Sequence, residues 1–328
     1  MKVAIAGLGT AGTSRLGSYA PLPGVEVVAV ADPSPHRRAQ AGVRAYAGLA
    51  ELLAAESVDV VDVCTPPAYH RELSTLALRA SCDVICEKPV AFTTADALAL
   101  AETSRRTGRL LYPAHNYRFS PMMRLLEEAV AKVVGTPATA TFRIERSTHA
   151  AGTASWRPDW RRDPEVAGGG ILLDHGSHCV YMLTRLFGGR PDTVAATARF
   201  QDNGIEEAID VRLEFPLGSA EIRLSWVGER RSNHYGLTGP TGTLDVTDDV
   251  AVLSGPDGTE RRELESPAKG GAHEEWFAAM FADFTEVRAE PERWAGPLDE
   301  ILSTAQIIEA AYASARRDGR PATFAGQG

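Results

Sequence analysis

The sequence predicts an α/β protein in which an amino-terminal doubly wound parallel sheet precedes an α+β domain with a large, mostly antiparallel open sheet. In the first third of the chain, short apolar β-forming runs alternate with helical stretches. Later segments alternate apolar and polar residues between turn signals. The length of 328 residues also exceeds that of one typical domain. We therefore predict a first domain of residues 1–118 and a second of residues 119–328.

Composition limits the kinds of partner that the chain is built for. A formal net charge of -9 argues against a general nucleic-acid surface, because that task needs clustered Lys and Arg. The chain starts directly with an apolar strand and has no apolar run as long as a membrane span, so we expect neither a signal peptide nor a membrane partner. The four cysteines form no metal-binding pattern, which indicates small core residues in a reducing cytoplasm and no metal site. They are Cys64, Cys82, Cys86 and Cys179.

The first elements carry a dinucleotide-binding fingerprint. A strand at Lys2–Ala6 leads into a glycine-rich turn and a helix to about Ala20, and a second strand at Val25–Ala31 ends at Asp32. Glycine suits this turn because the chain bends tightly and a pyrophosphate approaches backbone N–H groups at the helix start. The context of strand, turn, helix, strand and acid makes the fingerprint specific for a Rossmann domain. The pyrophosphate-binding residues predicted from it are Gly7, Gly9, Thr10, Ala11 and Gly12.

Asp32 bears on the choice between NAD and NADP. Its carboxylate would accept hydrogen bonds from the adenosine ribose and repel a 2′-phosphate, which favours NAD. Arg37 and Arg38 follow closely and leave NADP open as the alternative, because either guanidinium suits a phosphate.

The alternation continues to about residue 114. The predicted elements are helix Leu49–Ala55, strand Val58–Val63, helix His70–Ala80, strand Val84–Cys86, helix Thr94–Thr107 and strand Leu110–Ala114. Parallel strands with right-handed crossovers place their ligands beyond the carboxyl ends of the strands. The loops Cys64–His70 and Glu87–Pro89 are therefore predicted to face the cofactor.

Residues 168–183, GGGILLDHGSHCVYML, contain the strongest candidate for proton transfer. A helix from about Leu172 would place Asp174 and His178 one turn apart, with Tyr181 on the same face. A carboxylate beside an imidazole orients a base that takes a proton near neutral pH. The alternative is an ordinary packed histidine after a glycine turn.

Together these motifs resemble the Gfo/Idh/MocA oxidoreductases. The resemblance rests on the fingerprint ending in Asp32, Thr65-Pro66 with His70, Glu87-Lys88-Pro89, Asn116-x-Arg118-Phe119-x-Pro121, Trp160-Arg161, and Gly168-Gly169-Gly170 with Asp174 and His178. It covers roughly the first 190 residues. It implies an NAD(P)-dependent enzyme with Lys88, Asp174 and His178 as its catalytic set, and a cis bond before Pro89. In these roles His178 exchanges the substrate hydroxyl proton, Lys88 stabilises charge on the substrate oxygen, and Asp174 orients His178 or the substrate.

The resemblance also implies binding roles for other positions. Besides the glycine turn and Asp32, the cofactor-binding candidates are Arg37, Thr65, Pro66, His70, Glu87, Lys88, Asn116, Trp160 and Arg161. The substrate-binding candidates are Lys88, Arg118, Trp156, Asp174, His175, His178 and Tyr181. Tyr181 departs from the family pattern, which commonly has an aspartate there. His175 is an addition that faces solvent, contacts the substrate or acts as a second acid.

The second domain is predicted to begin near the Asn116–Pro121 hinge with a helix at Met122–Val133. The strands expected after it are Thr136–Glu145, Thr193–Phe200, Glu206–Phe215, Ala220–Val227, His234–Thr238, Gly242–Thr247 and Val250–Ser254. Helices at Ala272–Arg288 and Pro297–Arg317 close the chain. The resemblance implies a homo-oligomer formed through this sheet.

These observations lead to three functional hypotheses. The first is an NAD(P)-dependent dehydrogenase or ketoreductase that acts on a secondary alcohol or ketone of a sugar, nucleotide sugar or cyclitol. The second is a hydrolase or lyase that oxidises a sugar transiently with tightly bound NAD, for which His175 offers an acid. The third is a non-catalytic dinucleotide sensor, against which the intact Lys88, Asp174 and His178 argue.

Overall fold

The structure is a computed structural model that describes residues 1–153, 156–264 and 274–324. Its strands are β1 (Lys2–Ala6), β2 (Glu26–Ala31), β3 (Arg44–Tyr46), β4 (Val60–Val63), β5 (Asp83–Cys86), β6 (Leu111–Pro113), β7 (Thr139–Glu145), β8 (Thr193–Phe200), β9 (Glu206–Phe215), β10 (Gly218–Ser225), β11 (Ser232–Thr238), β12 (Thr243–Thr247), β13 (Val250–Gly255), β14 (Gly258–Glu263) and β15 (Ala322–Thr323). Its helices are α1 (Thr10–Tyr19), α2 (Pro35–Ala39), α3 (Leu49–Ala55), α4 (His70–Arg79), α5 (Thr94–Thr107), α6 (Pro121–Ala129), α7 (Pro164–Ala167), α8 (Ser177–Leu186), α9 (Glu274–Ala289) and α10 (Ala295–Ala315).

These elements form two compact units that interleave along the chain. The first unit comprises Met1–Asn116, Ala150–Gly168 and Ala272–Ala305, and the second comprises Tyr117–His149, Gly169–Gly271 and Gln306–Gly328. Each unit is made of three separate segments, so the units do not correspond to a single boundary along the sequence. The domain boundary after residue 118 therefore stays a prediction.

The first unit contains the predicted doubly wound sheet. Its strands run in the order β3-β2-β1-β4-β5-β6, and each neighbouring pair is parallel. The central strand β1 is buried from Val3 to Ala6, which agrees with the uninterrupted apolar runs expected of strands covered on both faces. One strand, β3, was not predicted. It has only three residues, none of them buried, so its sequence lacks an apolar run.

Local signals explain where the helices of this unit begin and end. The Thr93 hydroxyl accepts a hydrogen bond from the Asp96 N–H at 3.1 Å, which caps the amino end of α5. Gly108 ends the same helix in the left-handed conformation, with φ of +60°. As a result α5 spans Thr94–Thr107, the range that the sequence predicts.

The second unit is built on a mixed sheet that is mostly antiparallel. Its strand order is β14-β13-β12-β11-β7-β10-β9-β8-β15, and β7 pairs with β10 in parallel. The inward-facing residues of β7, such as Phe142 and Ile144, are buried, whereas Arg143 between them is exposed. This alternation places one face of the strand in the core. The strands β14 and β15 were not predicted.

The helix that carries the proton-transfer candidates differs from the expected regular α-helix. It is helical from Leu172, as predicted, but Leu172–Gly176 forms a π-helical turn before α8 begins at Ser177. A π turn inserts an extra residue and rotates the positions before it relative to those after it. The α-helical spacing expected between Asp174 and His178 is therefore interrupted.

The last helices lie close to their predicted bounds. The prediction of a helix from Ala272 begins outside the described residues, which resume with α9 at Glu274. The aromatic and arginine loop, residues 155–163, contains the predicted binding residues Trp156, Trp160 and Arg161. Its first residue, Ser155, lies outside the described residues, whereas Trp156 is described. In the described part of the chain, no helix is both long enough and apolar enough to cross a bilayer.

All four cysteines are buried and none forms a disulfide. Burial raises the pKa of each thiol, to about 11 for Cys82 and to about 12 for Cys179. The side chains therefore act as small core residues, as the sequence predicts.

Candidate active site

The glycine turn between β1 and α1 requires glycine for different reasons at its three positions. Gly7 has φ of +96°, and a Cβ on Gly12 would lie 1.8 Å from the Gly7 carbonyl oxygen, so the protein itself excludes larger residues at both. Gly9 is different, because a Cβ there would have no atom of the protein within 4 Å. Its backbone is also extended, with φ of -71°. The space beside Gly9 and the first turn of α1, where Thr10 and Ala11 lie, is therefore open to a ligand that approaches the backbone.

Two further observations fit a bound pyrophosphate at this turn. No side chain caps the amino end of α1, and its first turn contains no acidic residue. The first N–H groups of a helix attract anions when nothing else satisfies them. The Thr65 hydroxyl is buried and has no hydrogen-bond partner among the described residues. The residues present therefore fit the phosphate portion of a dinucleotide.

Asp32, at the end of β2, is buried and holds the turn in place. Its carboxylate accepts hydrogen bonds from the N–H groups of Leu8 at 2.7 Å and Ser34 at 2.8 Å. Arg37 forms an ion pair with the same carboxylate at 3.3 Å and donates a hydrogen bond to the Thr153 hydroxyl. Arg38 donates instead to the backbone carbonyl of Asp32 at 2.7 Å. Asp32 thus faces the glycine turn, and its negative charge is balanced by Arg37.

The Glu87-Lys88-Pro89 turn follows β5, and its Lys88–Pro89 bond is cis, as the resemblance implies. Lys88 is partly buried, and its N–H lies 3.3 Å from Oε2 of Glu87. The other carboxylate oxygen of Glu87 accepts a hydrogen bond from Arg15 of α1 at 2.6 Å. The lysine turn is therefore tied to the helix that follows the glycine turn.

Arg15 is buried and interacts with more than one acid. Its Nε atom lies 3.4 Å from Asp62 of β4, and its guanidinium lies 4.4 Å from the centre of the Phe277 ring. Burial lowers the pKa of Arg15, but Glu87 and Asp62 outweigh it and raise the net value. A guanidinium that stays charged holds both carboxylates at fixed positions. This role was not predicted, because Arg15 lies between Ser14 and Leu16 on a helix and belongs to no recognised motif.

His70 connects the two loops that were predicted to face the cofactor. Its Nδ1 atom lies 2.8 Å from the Pro89 carbonyl oxygen, and its Nε2 atom lies 2.7 Å from that of Thr65. Burial lowers the pKa of the imidazole, although both carbonyl contacts favour the charged form. The ring therefore links the Cys64–His70 loop to the Glu87–Pro89 turn. A direct contact between His70 and the cofactor stays a prediction.

The aromatic and arginine loop also belongs to the first unit. The Trp156 ring lies 6.4 Å from that of Tyr69, and the Arg161 guanidinium lies 4.3 Å above the Trp160 ring. Arg161 also donates a hydrogen bond to the Ala150 carbonyl at 3.1 Å. These contacts order the loop, and the binding roles assigned to it stay predictions.

In the second unit, His178 lies between two phenols. Its Nδ1 atom is 2.6 Å from the Tyr181 hydroxyl oxygen, and the centre of its ring is 4.1 Å from that of Tyr117. Only 9% of its surface is exposed. Tyr181, the departure from the family pattern, is thus a direct partner of the proposed base. Tyr117 was not predicted, since it lies between the motif residues Asn116 and Arg118.

Asp174 and His175 lie on the π turn that precedes α8. The Nε2 atom of His175 is 3.9 Å from the Asp174 carboxylate, and both side chains are only partly exposed. Which of the three roles His175 has stays a prediction. Arg118 lies near the start of the second unit, with its guanidinium 5.5 Å from the Phe119 ring, whereas Asn116 belongs to the first unit.

The carboxylate of Glu206 fixes the start of this π turn. It accepts hydrogen bonds from the N–H groups of Gly170 at 2.8 Å and Leu172 at 2.9 Å, and from the Tyr312 hydroxyl at 2.8 Å. Glu206 is fully buried, and burial raises its pKa. The sequence places it at the start of a strand, where a buried acid is not expected, so its role was missed.

Two family models match the chain. Residues 1–115 match the oxidoreductase family with an NAD-binding Rossmann fold, and residues 123–245 match the Gfo/Idh/MocA C-terminal domain. The chain belongs to the Gfo/Idh/MocA oxidoreductase family. It is therefore an oxidoreductase with an NAD-binding domain, and the prediction of an enzyme that uses NAD is confirmed.

Named relatives and solved structures agree with this membership. D-apiose dehydrogenase from Paraburkholderia graminis is 28% identical, over 97% of this chain and 88% of that protein. D-glucoside 3-dehydrogenase from Escherichia coli is 34% identical, over 54% of this chain and 51% of that protein. The structure of levoglucosan dehydrogenase in complex with NADH has a TM-score of 0.85 at 18% identity and covers 99% of each chain, which shows the shared fold.

Lys88 lies in the first unit of this family member, whereas Asp174 and His178 lie in the second. The structure thus brings Asp174, His175 and His178 together on one helical segment, and separately brings Lys88 together with Glu87, Arg15 and His70. The meeting of the ammonium and the imidazole at one substrate stays a prediction.

Proposed function

We propose that this oxidoreductase is an NAD-dependent dehydrogenase or ketoreductase that acts on a secondary alcohol or ketone of a sugar, nucleotide sugar or cyclitol. The observation that carries the proposal is the buried imidazole of His178, with its Nδ1 atom 2.6 Å from the Tyr181 hydroxyl. An oriented imidazole is suited to take the proton of a hydroxyl group. The names of two relatives, D-apiose dehydrogenase and D-glucoside 3-dehydrogenase, support a carbohydrate substrate.

In the proposed reaction, bound NAD supplies a hydride acceptor for the carbon that carries the hydroxyl group. Because Nδ1 of His178 is engaged by Tyr181, we assign the transfer of the hydroxyl proton to Nε2. Asp174 has the role of orienting the substrate hydroxyl or the imidazole. In the reverse direction, His178 returns the proton to the substrate oxygen.

Lys88 donates a hydrogen bond to the same substrate oxygen and stabilises the negative charge that develops there. Its backbone N–H lies 3.3 Å from the carboxylate of Glu87, which Arg15 holds through a hydrogen bond. A donor that is positioned in advance needs little reorganisation during the reaction. We therefore include Lys88 with Asp174 and His178 in the catalytic set.

Turnover of a substrate panel tests the proposal. The purified chain is incubated with NAD and D-apiose, a methyl glucoside or myo-inositol, and with NADH and the corresponding keto sugars, while the absorbance of the reduced nicotinamide is followed. NAD-linked turnover with at least one carbohydrate is expected. The proposed function is wrong if NAD binds but no polyol, sugar or keto sugar is turned over in either direction.

A hydrolase or lyase that uses its NAD transiently is the second candidate. It is favoured by one observation, the partly exposed His175 beside Asp174, because this imidazole offers an acid for a leaving group. Such an enzyme would cleave a glycoside without added NAD and without net formation of NADH. The sensor hypothesis disagrees with membership of an oxidoreductase family. The cytoplasmic location and the homo-oligomer stay predictions.

A further inference from the structure

Arg146 is a buried cation at the end of β7. Its backbone N–H donates to the Ser225 carbonyl at 2.8 Å, and its carbonyl accepts from the Gly228 N–H at 2.9 Å. Only 8% of the residue is exposed. The side chain is therefore fixed at its base by the sheet and withdrawn from water at its charged end.

The hydrogen bonds of this guanidinium go to neutral acceptors. Its Nη1 atom donates to the carbonyl oxygens of Glu145 at 2.6 Å and Ser232 at 3.1 Å, and its Nη2 atom donates to Oδ1 of Asn233 at 2.9 Å. An arginine side chain has five N–H donors. The Nε atom is buried and has no partner among the described residues, so Nε–H and one Nη2–H remain available. Nε and Nη2 share one edge of the guanidinium, the edge that binds an oxyanion through two parallel hydrogen bonds.

Arg146 also has no carboxylate in direct contact with it. In the described part of the chain, no carboxylate forms an ion pair or a hydrogen bond with Arg146. Burial lowers its pKa, and the nearby guanidinium of Arg231 lowers it further, whereas the Asp174 carboxylate opposes this fall from a distance. Burying an unpaired charge is costly, and placing a second cation beside it adds to the cost. A bound anion that contacts both arginines would offset the rest of these penalties.

Both arginines act on a phenol that packs on the proposed base, and Arg231 directly precedes Ser232, whose carbonyl accepts a hydrogen bond from Arg146. Burial raises the pKa of the Tyr117 phenol, and the charges of Arg146 and Arg231 oppose that rise. The same phenol ring packs on His178, with 4.1 Å between the ring centres. An anionic group held by Arg146 would therefore be close to a substrate whose hydroxyl group faces His178.

We propose that Arg146 and Arg231 form a subsite for an anionic group of the substrate, so that the enzyme acts on a sugar acid or a sugar phosphate rather than on a neutral sugar. This proposal rests on the proposed function, because it places the anion next to the reacting hydroxyl group. Arg146 provides the fixed two-point contact through Nε and Nη2. Arg231 is exposed and provides the second positive charge.

A binding experiment tests the subsite without requiring turnover. Malonate and inorganic phosphate are titrated calorimetrically into the NAD-loaded wild-type protein and into the Arg146→Gln, Arg231→Gln and Arg143→Gln variants. Arg143 is the matched control, because it is exposed on the opposite face of the same strand. We expect the dissociation constant of the better anion to rise about 10- to 100-fold in Arg146→Gln, on the scale of lost charge-assisted hydrogen bonds. A smaller rise is expected in Arg231→Gln and no change in Arg143→Gln.

The preference of the enzyme for charged substrates is measured next. Matched pairs such as D-gluconate with D-glucitol, and D-glucose 6-phosphate with D-glucose, are compared by kcat/KM. A carboxylate or a phosphate should raise kcat/KM by about 10-fold or more, and the pair with the larger ratio identifies the anion. Arg146→Lys should restore part of the preference that Arg146→Gln loses, since it returns the charge without the planar edge.

The outcomes separate this proposal from the proposed function. Turnover of neutral and anionic partners at equal kcat/KM overturns the anionic subsite and leaves the dehydrogenase in place. Anion binding that depends on Arg146 and Arg231, without turnover of any carbohydrate, supports the subsite and overturns the proposed function. Equal anion affinity in all four proteins overturns the subsite. If Arg146→Gln does not fold, the exposed Arg231→Gln variant gives the same decision.

Discussion

The Nδ1 atom of His178 lies 2.6 Å from the hydroxyl oxygen of Tyr181, three residues further along α8. This spacing places both side chains on one face of the helix. The family pattern commonly has an aspartate at the position of Tyr181, so this chain orients its imidazole with a neutral group. A phenol can fix the ring without adding a negative charge to the pocket.

Replacing Tyr181 by Phe should lower kcat while leaving NAD binding intact. The change removes one hydrogen bond to the imidazole and keeps the aromatic packing, so a decrease of about three- to tenfold is expected. Steady-state kinetics and NAD titration measure the two effects. Tyr46→Phe is the control, because it removes a phenol that contacts Glu56 in the other unit. If both variants keep the wild-type kcat, Tyr181 does not orient the base.

Replacing Lys88 by Ala should abolish most of the turnover without abolishing cofactor binding. The loss of a donor to the developing oxyanion is expected to lower kcat by about 100-fold or more. Lys132→Ala, on an exposed position of the second unit, should behave as the wild type. Unchanged turnover in Lys88→Ala would remove this residue from the catalytic set.

Substitutions in the glycine turn should separate binding from folding. Gly9→Ala meets no protein atom within 4 Å, so it should fold normally but weaken NAD binding by about tenfold or more. Gly12→Ala places a Cβ 1.8 Å from the Gly7 carbonyl, so it should lower the free energy of unfolding by about 3 kcal/mol. NAD titration and urea unfolding measure the two effects.

Gly17→Ala is the control for both glycine variants. It lies in α1 with open space around it, so it should raise the free energy of unfolding by about 0.5–1 kcal/mol and leave NAD binding unchanged. Equal NAD affinity in Gly9→Ala and Gly17→Ala would contradict the approach of a pyrophosphate to Gly9.

The buried Glu206 should make stability depend on pH in a defined direction. Its folded pKa is raised from 4.5 by burial, so in the window above 4.5 the folded state binds more protons than the unfolded state. The free energy of unfolding therefore falls as pH rises from 4.5 through the raised folded pKa. Urea unfolding over this range should show a slope in the wild type that Glu206→Gln lacks.

Two comparisons complete the experiment on Glu206. Glu206→Gln should also lower the free energy of unfolding by about 1–3 kcal/mol at low pH, because Gly170 and Leu172 lose an acceptor of good geometry. Glu207→Gln, next to it in β9, should change little, since its partner Arg199 is exposed. Parallel pH curves for the wild type and Glu206→Gln would contradict the assignment.

Much of the first unit was predictable from sequence because its signals are local. The strand β1 is an apolar run after Lys2, β4 is apolar except for Asp62, and the cap and terminal glycine of α5 mark both of its ends. The strand β14 was missed because its residues are almost all exposed, so no pattern distinguishes it from a loop. It forms where the turn at Pro256-Asp257 brings the chain back along β13.

The candidate site was predictable as a set of residues but not as a set of contacts. Sequence spacing singled out His178 and Asp174, but it did not predict the π turn, because the apolar pattern from Leu172 also fits a regular helix. Tyr117, which packs on His178, and Arg146, whose charge acts on Tyr117, come from parts of the chain that are distant in sequence from α8. Only the folded chain brings such residues together.

The burial of every cysteine has a practical consequence for handling the enzyme. Alkylating agents and peroxide attack the thiolate, and raised thiol pKa values leave almost none of it at neutral pH. Preparation in air, without dithiothreitol, should therefore leave the thiols unmodified. Alkylating agents that are used to inactivate a second, thiol-dependent enzyme in a coupled assay should therefore not inactivate this oxidoreductase.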